Sequence, residues 1–264
     1  MQRTGGWSGV KVVILAGGAG TRLGEETAVK PKPMVEIGGY PMLWHIMKIY
    51  SAYGFNEFVI ALGYKGFVIK DYFLNFRPWT QNFSISLASG SITYHHRVQT
   101  DWTVHLIDTG YGTMTGGRIR RASEFIGDEP FMLTYGDGVA NIDIPALIDF
   151  HRQSRRLATV TVVRPAARFG TVALKDGTVT SFQEKSQSGA GWINGGFFVV
   201  QPEVRRYIAD DDTVWEQDPL ETLVAEGQLG GYEHNGFWHP MDTLRDVRLL
   251  EELWQSAAPP WKVW

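Results

Sequence analysis

Two basic residues near the start of the chain, Arg22 and Lys32, have the side-chain types and the setting for phosphate chemistry. They follow a loop with three glycines within 17–20, which comes directly after the apolar run at 12–15. Glycines let the backbone turn sharply, and N–H groups at the carboxyl end of a strand form a concave anion site. An arginine adds two parallel hydrogen bonds to such an anion, and a lysine adds a point charge. We therefore expect a polyphosphate site here.

This glycine loop fits neither of two familiar phosphate motifs. The dinucleotide pattern G-x-G-x-x-G would need a third glycine where Leu23 stands, and the P-loop would need a Lys-Ser or Lys-Thr pair after the glycines. On its own, a glycine-rich turn is as often a plain turn as a ligand site. Its interpretation therefore depends on residues elsewhere in the chain.

Two aspartates, Asp137 and Asp242, extend the phosphate hypothesis to a metal. Asp137 follows the apolar run at 131–135 and lies between two glycines, and Asp242 precedes a segment with helical periodicity. Taken singly, Asp137 is typical of a turn and Asp242 of the N-cap of the last helix. Together with the glycine loop, they match the one or two carboxylates that usually hold Mg²⁺ beside phosphate oxygens and water. The sequence thus predicts Mg²⁺ as a cofactor.

The elements that must position these residues alternate between strands and helices. Apolar runs suited to buried strands occur at 11–15, 57–62, 131–135, 158–163 and 197–200. Helical spacing occurs at 42–53, 67–75, 118–125, 144–155, 219–225 and 243–255. This alternation predicts an α/β fold with a doubly wound, mainly parallel, Rossmann-like sheet. Ligands of such sheets sit beyond the carboxyl ends of the strands, where the glycine loop and Asp137 would both lie.

Three segments depart from this alternation. Residues 76–108 are rich in Ser, Thr, His and aromatic residues, which predicts a β excursion instead of another helical crossover. The sequence Lys-Asp-Gly at 175–177 predicts a hairpin. The tail at 259–264 contains two tryptophans, which either fold back on the core or pack on a partner subunit.

Composition limits the remaining possibilities. The 264 residues suffice for one large α/β domain, and the net charge of −3 argues against a nucleic-acid partner. The absence of cysteine excludes disulfides, zinc thiolates and thiol catalysis. No apolar run reaches the roughly 18 residues of a spanning helix, and residues 1–9 form an irregular leader without signal-peptide character. We expect a cytoplasmic protein without a membrane partner.

The glycine loop and its continuation, G-G-x-G-T-R-L followed by P-K-P, resemble the signature of the sugar-nucleotide pyrophosphorylases, nucleotidyltransferases that act on sugar 1-phosphates. Further resemblances lie at 134–138 and 238–243, for the metal, and at 169–172, 184–185 and 194–196, for the sugar phosphate. The similarity spans residues 10–264, which implies a single nucleotidyltransferase domain with its sugar-binding part at 168–242. Segments 25–27 and 114–118 are most similar to the branch that transfers a cytidylyl group to glucose 1-phosphate.

The resemblance implies Mg²⁺-dependent transfer of CMP from CTP to α-D-glucose 1-phosphate, giving CDP-glucose and pyrophosphate. Arg22, on the β- and γ-phosphates, and Lys32, on the α-phosphate and the attacking phosphate, are the expected catalytic residues, with Asp137 and Asp242 on the metal. The expected nucleotide-binding residues are Leu15, Ala16, Gly17, Gly18, Ala19, Gly20, Thr21, Thr113, Arg118 and Gly136. The expected sugar-phosphate-binding residues are Gly170, Glu184, Lys185, Asn194 and Gly195. Arg118 would read cytosine, the alternative being a charge on a helix surface.

Two other functions stay open at this point. One is the same reaction with dTTP or UTP, or with another sugar 1-phosphate, which would keep every phosphate and metal residue. The other is a non-catalytic, nucleotide-sensing subunit, which would be expected to lack Arg22, Lys32 or an aspartate, and the chain retains them all. The resemblance also implies a homo-oligomer, a hexamer, acting in polysaccharide biosynthesis.

Overall fold

The computed structural model describes residues 9–20, 23–95, 100–165, 171–175, 178–183 and 191–264. The strands in these residues are β1 (Val12–Ala16), β2 (Glu36–Ile37), β3 (Tyr40–Pro41), β4 (Glu57–Leu62), β5 (Phe83–Ile85), β6 (Ile92–Tyr94), β7 (Thr103–Asp108), β8 (Phe131–Tyr135), β9 (Gly138–Ala140), β10 (Ala158–Val163), β11 (Thr171–Lys175), β12 (Thr178–Gln183), β13 (Ile193–Val200), β14 (Leu229–His234) and β15 (Trp238–Pro240). The α-helices are α1 (Glu25–Val29), α2 (Met42–Ser51), α3 (Gly66–Leu74), α4 (Phe76–Thr80), α5 (Thr115–Ile126), α6 (Ile144–Ser154), α7 (Asp218–Ala225) and α8 (Leu244–Trp254). Short 3-10 helices lie at Lys32–Met34 and Pro202–Tyr207.

Within the described part of the chain, seven strands form the main sheet, in the order β14-β10-β13-β8-β1-β4-β7. β1 lies between β8 and β4 and is parallel to both, β4 is parallel to β7, and β10 is parallel to β14. β13 is antiparallel to β8 and β10. The sheet is therefore mainly parallel, as predicted, and the carboxyl ends of β8, β1, β4 and β7 lie along one edge.

The core lies on both faces of this sheet because alternate β1 side chains point to opposite sides. Val12 and Ile14 belong to one buried apolar cluster together with Leu43 of α2, and Val13 belongs to another together with Ile119 of α5. All five β1 residues are buried, and burying an aliphatic side chain of this size contributes about 1.5–3 kcal/mol. This two-sided burial explains why β1 reads as a continuous apolar run and confirms the doubly wound arrangement.

The predicted strands and helices are present, with ends that shift by a few residues. The strands predicted at 57–62, 131–135 and 158–163 have these same bounds, and the strand predicted at 197–200 begins earlier, at Ile193. Residues 76–108 contain α4, the antiparallel hairpin β5–β6 and β7. The hairpin stands apart from the main sheet, whereas β7 joins it at an edge, which the sequence interpretation did not anticipate.

The structure tests two further predictions, the hairpin around 175–177 and the position of the tryptophan tail. β11 and β12 pair antiparallel, which confirms the hairpin, although its turn residues 176–177 lie outside the described residues. Trp261 is fully buried beside Trp254 and Phe237, and Trp264 packs edge-on against Trp44. The tail thus folds back on the core. None of the helices in the described ranges is long and apolar enough to cross a membrane.

Candidate active site

Lys32 is presented by a 3-10 helix that two prolines shape. Pro31 precedes this turn in an extended conformation, and Pro33 is buried inside it. A Cβ placed on Gly136, at the end of β8, would lie 2.7 Å from Pro33 Cγ. Position 136 must therefore be glycine for the turn to dock against β8, and this docking brings Lys32 to the carboxyl edge of the sheet.

A short antiparallel ladder brings Asp137 and Asp242 together across a long stretch of chain. β9 and β15 pair with Gly138 opposite Pro240, and the Met241 N–H donates to the Asp137 carbonyl oxygen at 2.7 Å. Asp137 precedes one strand of this ladder, and Asp242 lies just beyond the other. Their side chains consequently meet in front of β8, as the two-carboxylate hypothesis requires.

The two carboxylates converge on one ammonium group. Lys32 Nζ lies 2.6 Å from Asp137 Oδ2 and 2.7 Å from Asp242 Oδ1, and the lysine side chain is 12% exposed. Burial acts to lower the pKa of Lys32, but the charges and hydrogen bonds of the two aspartates outweigh it, so the pKa lies above its usual value. Lys32 is therefore a fixed positive charge held between two carboxylates.

Asp242 is held by the start of α8, although it does not cap that helix. The N-cap is Thr243, which forms a capping box with Asp246. The sequence, with Asp242 considered alone, predicted Asp242 as the N-cap, and this prediction is wrong by one position. The Asp242 N–H donates to Asp246 Oδ2 at 3.1 Å, and His239 Nε2 lies 3.2 Å from Asp246 Oδ1. Because Asp246 satisfies the backbone of the turn, the Asp242 carboxylate can face Lys32.

The glycine loop lies at the carboxyl end of β1, and a different structural reason favours glycine at each of its three positions. A Cβ on Gly17 would lie 2.1 Å from Arg118 Nη1, so this position is small because a guanidinium occupies the adjacent space. Gly20 has a positive φ of 61°, which favours glycine. A Cβ on Gly18 would meet nothing within 4 Å. Gly18 thus leaves room for a bound group to approach the backbone.

Arg118 lies inside the first helical turns of α5 and is 4% exposed, so it is not a surface charge. Its terminal nitrogens donate to five protein acceptors, which are the carbonyl oxygens of Gly17, Leu62, Gly110 and Tyr111 and the Thr109 hydroxyl. These bonds tie the loops after β1, β4 and β7 to one another. In this arrangement the guanidinium holds the loops, and direct reading of cytosine by Arg118 stays a prediction.

A cavity of about 410 Å³ opens in front of these loops. Its lining contains the predicted residues Leu15, Ala16, Gly17, Gly18, Gly20, Lys32, Thr113, Arg118, Gly136, Asp137 and Asp242. Ala19 is not part of this lining. The cavity wall also includes Pro33, Met114, Thr115 and Tyr135, which the sequence did not identify as site residues. Tyr135 could have been found as the last residue of β8, directly before Gly136.

Asn194 and Gly195 lie outside this cavity lining, on a bulge of β13. The register against β10 shifts between Val160 and Val162, and Gly196 and Phe197 adopt positive φ angles of 74° and 49°. A bulge re-aims side chains at the end of a strand. Asn194 Nδ2 donates to the Tyr135 hydroxyl at 3.0 Å, which connects this segment to the cavity wall.

Packing against a neighbouring strand explains why position 195 is a glycine. A Cβ there would lie 2.7 Å from Val163 Cγ1, and the Gly195 carbonyl accepts a 2.8 Å hydrogen bond from Trp238 Nε1.

Five of the expected site residues, Thr21, Arg22, Gly170, Glu184 and Lys185, lie outside the described residues. Their roles stay predictions.

The aspartate pair suits a hard divalent cation. Asp137 Oδ2 and Asp242 Oδ1 lie within 2.7 Å of one cationic nitrogen, so their oxygens already face a common point. Among the described residues, no group of three or more His, Asp or Glu could hold a metal. A cation here would take its other ligands from phosphate oxygens and water, which is the usual coordination of Mg²⁺.

Comparison with known proteins agrees with this geometry. The model of the nucleotidyl transferase family matches residues 11–243, and the chain belongs to this family. It is 53% identical, over 97% of this chain and 100% of the relative, to the glucose-1-phosphate cytidylyltransferase of Salmonella typhimurium. It is 29% identical to the mannose-1-phosphate guanylyltransferase catalytic subunit beta of Dictyostelium discoideum, over 95% of this chain and 67% of the relative.

A solved structure shows the same fold at low sequence identity. The UDP-glucose pyrophosphorylase of Acinetobacter baumanii matches with a TM-score of 0.68 and 15% identity, covering 96% of this chain and 95% of the other. This likeness concerns the fold alone. The family and the fold expected from the sequence are thus confirmed.

Proposed function

We propose that this chain transfers CMP from CTP to α-D-glucose 1-phosphate, releasing pyrophosphate and forming CDP-glucose. The observation that carries the proposal is the convergence of Lys32, Asp137 and Asp242 at a cavity lined by the glycine loop. The substrates follow from the full-length relative, which carries the name glucose-1-phosphate cytidylyltransferase.

The reaction needs positioning and charge more than acid–base catalysis. The substrate phosphate has a second pKa near 6, so it is mostly dianionic at neutral pH and can attack without a base. One of its oxygens forms a bond to the α-phosphorus of CTP while the bond from that phosphorus to the β-phosphate oxygen breaks. The leaving group is pyrophosphate, and no proton has to be removed from the nucleophile.

Lys32 supplies positive charge at the reacting phosphates. An ammonium group has three donors, and the two aspartates engage two of them. We assign the remaining direction to the α-phosphate and the attacking phosphate, and Arg22 to the departing β- and γ-phosphates. Asp137 and Asp242 would hold Mg²⁺, which neutralises charge on the triphosphate oxygens when it is bound.

The sugar phosphate is assigned to the opposite side of the site. Lys185 would bind its phosphate, and Glu184 and Asn194 would bind sugar hydroxyls, with the backbones of Gly170 and Gly195 beside them. On the base side, the backbone of the glycine loop and the buried Thr113 form the wall that would face cytosine. This division keeps the base and the sugar on separate segments of the chain.

We also propose a homo-oligomer, a hexamer by resemblance, located in the cytoplasm, where CTP is supplied. Large apolar side chains are exposed in α3 and in the segment that follows it as far as β6, among them Phe67, Leu74, Trp79 and Leu87. Exposed apolar patches commonly mark interaction surfaces. Light scattering of the wild type and of Leu87→Lys tests this part, with a monomeric wild type as the contradicting result.

The test of the activity is a matrix of CTP, dTTP, UTP, ATP and GTP against several sugar 1-phosphates, scored by pyrophosphate release with Mg²⁺. We expect CTP with glucose 1-phosphate to have the highest kcat/KM. Lys32→Gln should lower turnover about 10²–10³-fold, which is typical of losing a charge aimed at the transition state. Lys30→Gln is the matched control, because Lys30 pairs with Glu36 at 3.3 Å. A different best pair would refute the substrates, and full activity of Lys32→Gln would refute the site.

A further inference from the structure

The carboxylate of Glu216 is not part of the cavity lining, but it accepts hydrogen bonds from two residues that are. Thr115 Oγ1 donates to Glu216 Oε2 at 2.6 Å, and the Tyr135 hydroxyl donates to Glu216 Oε1 at 2.7 Å. Thr115 lies on the side of the cavity formed by α5, and Tyr135 lies at the end of β8. Glu216 therefore connects two walls of the cavity without lining it.

The direction of these hydrogen bonds follows from the other partners of the hydroxyls. Thr115 Oγ1 accepts from the Trp215 N–H at 2.9 Å, and the Tyr135 hydroxyl accepts from Asn194 Nδ2 at 3.0 Å. Each hydroxyl has a single proton, so both protons point to Glu216. Burial and the neighbouring Glu216 raise the pKa of Tyr135 above its usual range, which keeps the phenol protonated as a donor.

The loop at 208–217 reaches this position by packing on the start of α5. The Met114 N–H donates to the Asp211 carbonyl at 2.8 Å, and the Gly116 N–H to the Thr213 carbonyl at 2.9 Å. A Cβ on Gly116 would lie 2.7 Å from the Thr213 carbonyl oxygen, and one on Gly117 would lie 2.6 Å from Asp211 Cα. This glycine pair thus admits the loop that carries Glu216.

The far end of the hydrogen-bond chain is the residue assigned to the sugar. Asn194 Oδ1 accepts from the Gly196 N–H at 2.8 Å while its Nδ2 donates to Tyr135. The orientation of the exposed Asn194 amide therefore depends on Tyr135, and the orientation of the Tyr135 hydroxyl depends on Glu216. Hydrogen bonds between hydroxyls and a carboxylate are among the stronger ones in proteins.

We propose that Glu216 is a positioning residue that acts through Tyr135 to orient Asn194 toward the sugar 1-phosphate. The proposal rests on the proposed function, because it takes Asn194 as a contact to a sugar hydroxyl. It assigns to the loop at 208–217 a part in sugar binding, although this loop contributes nothing to the cavity lining.

The test separates the two substrates kinetically. We expect Glu216→Gln and Tyr135→Phe each to raise the KM for glucose 1-phosphate about tenfold, which is the scale of one lost charge-assisted hydrogen bond. The KM for CTP should stay within about twofold, because the loop after β1 is held by Arg118 and not by Glu216. The double variant should be no worse than either single one, because both changes break the same link.

The controls distinguish this inference from the proposed function. Glu221→Gln, an exposed change five residues further along the chain, should behave as wild type. Wild-type turnover alone tests the function, and if another sugar 1-phosphate is preferred, the same comparison is made with that substrate. Unchanged KM values, equal rises for both substrates, or additive effects in the double variant would overturn the role of Glu216. Tyr135→Phe keeps the ring and serves as the decisive variant if Glu216→Gln does not fold.

Discussion

Acidification should weaken the fold through His45, a histidine of α2 that is fully buried beneath the tryptophan tail. Its Nε2 lies 2.9 Å from the Ile37 carbonyl oxygen, and its Nδ1 accepts from Trp261 Nε1 at 3.3 Å. The ring is therefore neutral, with its proton on Nε2. Burial is the main cause that lowers the pKa of His45 from 6.5 to about 4.

The sign and size of the effect follow from this pKa. Between 6.5 and about 4 the unfolded chain binds a proton that the folded protein does not, so the free energy of unfolding falls as the pH falls through this window. At about 1.4 kcal/mol per pH unit, the full window corresponds to about 3 kcal/mol, of which about 1.4 kcal/mol is lost by about pH 5.5. The stabilisation is complete above pH 6.5.

A second histidine provides an internal comparison. His151 of α6 is 1% exposed and hydrogen-bonded to Thr159 Oγ1 at 2.9 Å, and burial lowers its pKa to about 4 as well. As the pH falls, His151 should lower the free energy of unfolding by the same amount per pH unit as His45 does. Both histidines together would therefore remove about 3 kcal/mol from the free energy of unfolding by about pH 5.5. A variant of His45 alone should keep half of this dependence.

The assay is urea unfolding of the wild type and of His45→Gln, followed by tryptophan fluorescence at about pH 7.5 and about pH 5.5. Glutamine does not titrate, so the stability difference between the two proteins should shift by about 1.4 kcal/mol in favour of the variant at the lower pH. His95→Gln is the control, because His95 is exposed. Parallel pH dependences of the wild type and His45→Gln would refute the reasoning.

Two further predictions concern the phosphate site. Asp137 and Asp242 place two carboxylates at the cavity. In the absence of a divalent cation, removing one of these negative charges should lower the repulsion of a triphosphate. Asp242→Asn should therefore bind CTP more tightly than the wild type in EDTA, measured by calorimetry, while losing turnover with Mg²⁺. Gly17→Ala should displace Arg118, which lowers the free energy of unfolding by about 1–3 kcal/mol and weakens CTP binding. Gly18→Ala is the control, and its free energy of unfolding in urea should stay within about 0.5 kcal/mol of the wild-type value.

The centre of the fold could be predicted because burial on both faces leaves a simple signal. β1 is apolar throughout and β4 and β8 are mostly apolar, and their alternation with helices predicts the parallel sheet. The two edge strands lack this signal. β14 contains two glycines, and most of its side chains are at least partly exposed. In β7 the four central side chains are half-buried and both end residues, Thr103 and Asp108, are exposed, so neither strand has the pattern of a core strand.

The site could be predicted where it depends on the sheet and not where it depends on loops. Parallel strands bring their carboxyl ends together, so the glycine loop and Asp137 were expected to be neighbours. The β9–β15 ladder that delivers Asp242 consists of two strands of three residues, which is too short for periodicity to detect. Glu216 reaches the site on an irregular loop, whose only sequence signal is the glycine pair at 116–117.

Lys32 and Arg118 show that the role of a basic residue near a glycine-rich loop can be assigned only when its hydrogen-bond partners are known. Both line the same cavity, yet Lys32 faces two carboxylates and Arg118 faces four carbonyl oxygens and a hydroxyl. Carbonyl oxygens cannot neutralise a guanidinium, and burial accordingly lowers the pKa of Arg118 from its usual value. One of its donors binds the Gly17 carbonyl oxygen, so the Arg118 guanidinium organises the glycine loop, whereas the Lys32 ammonium group is held between two carboxylates.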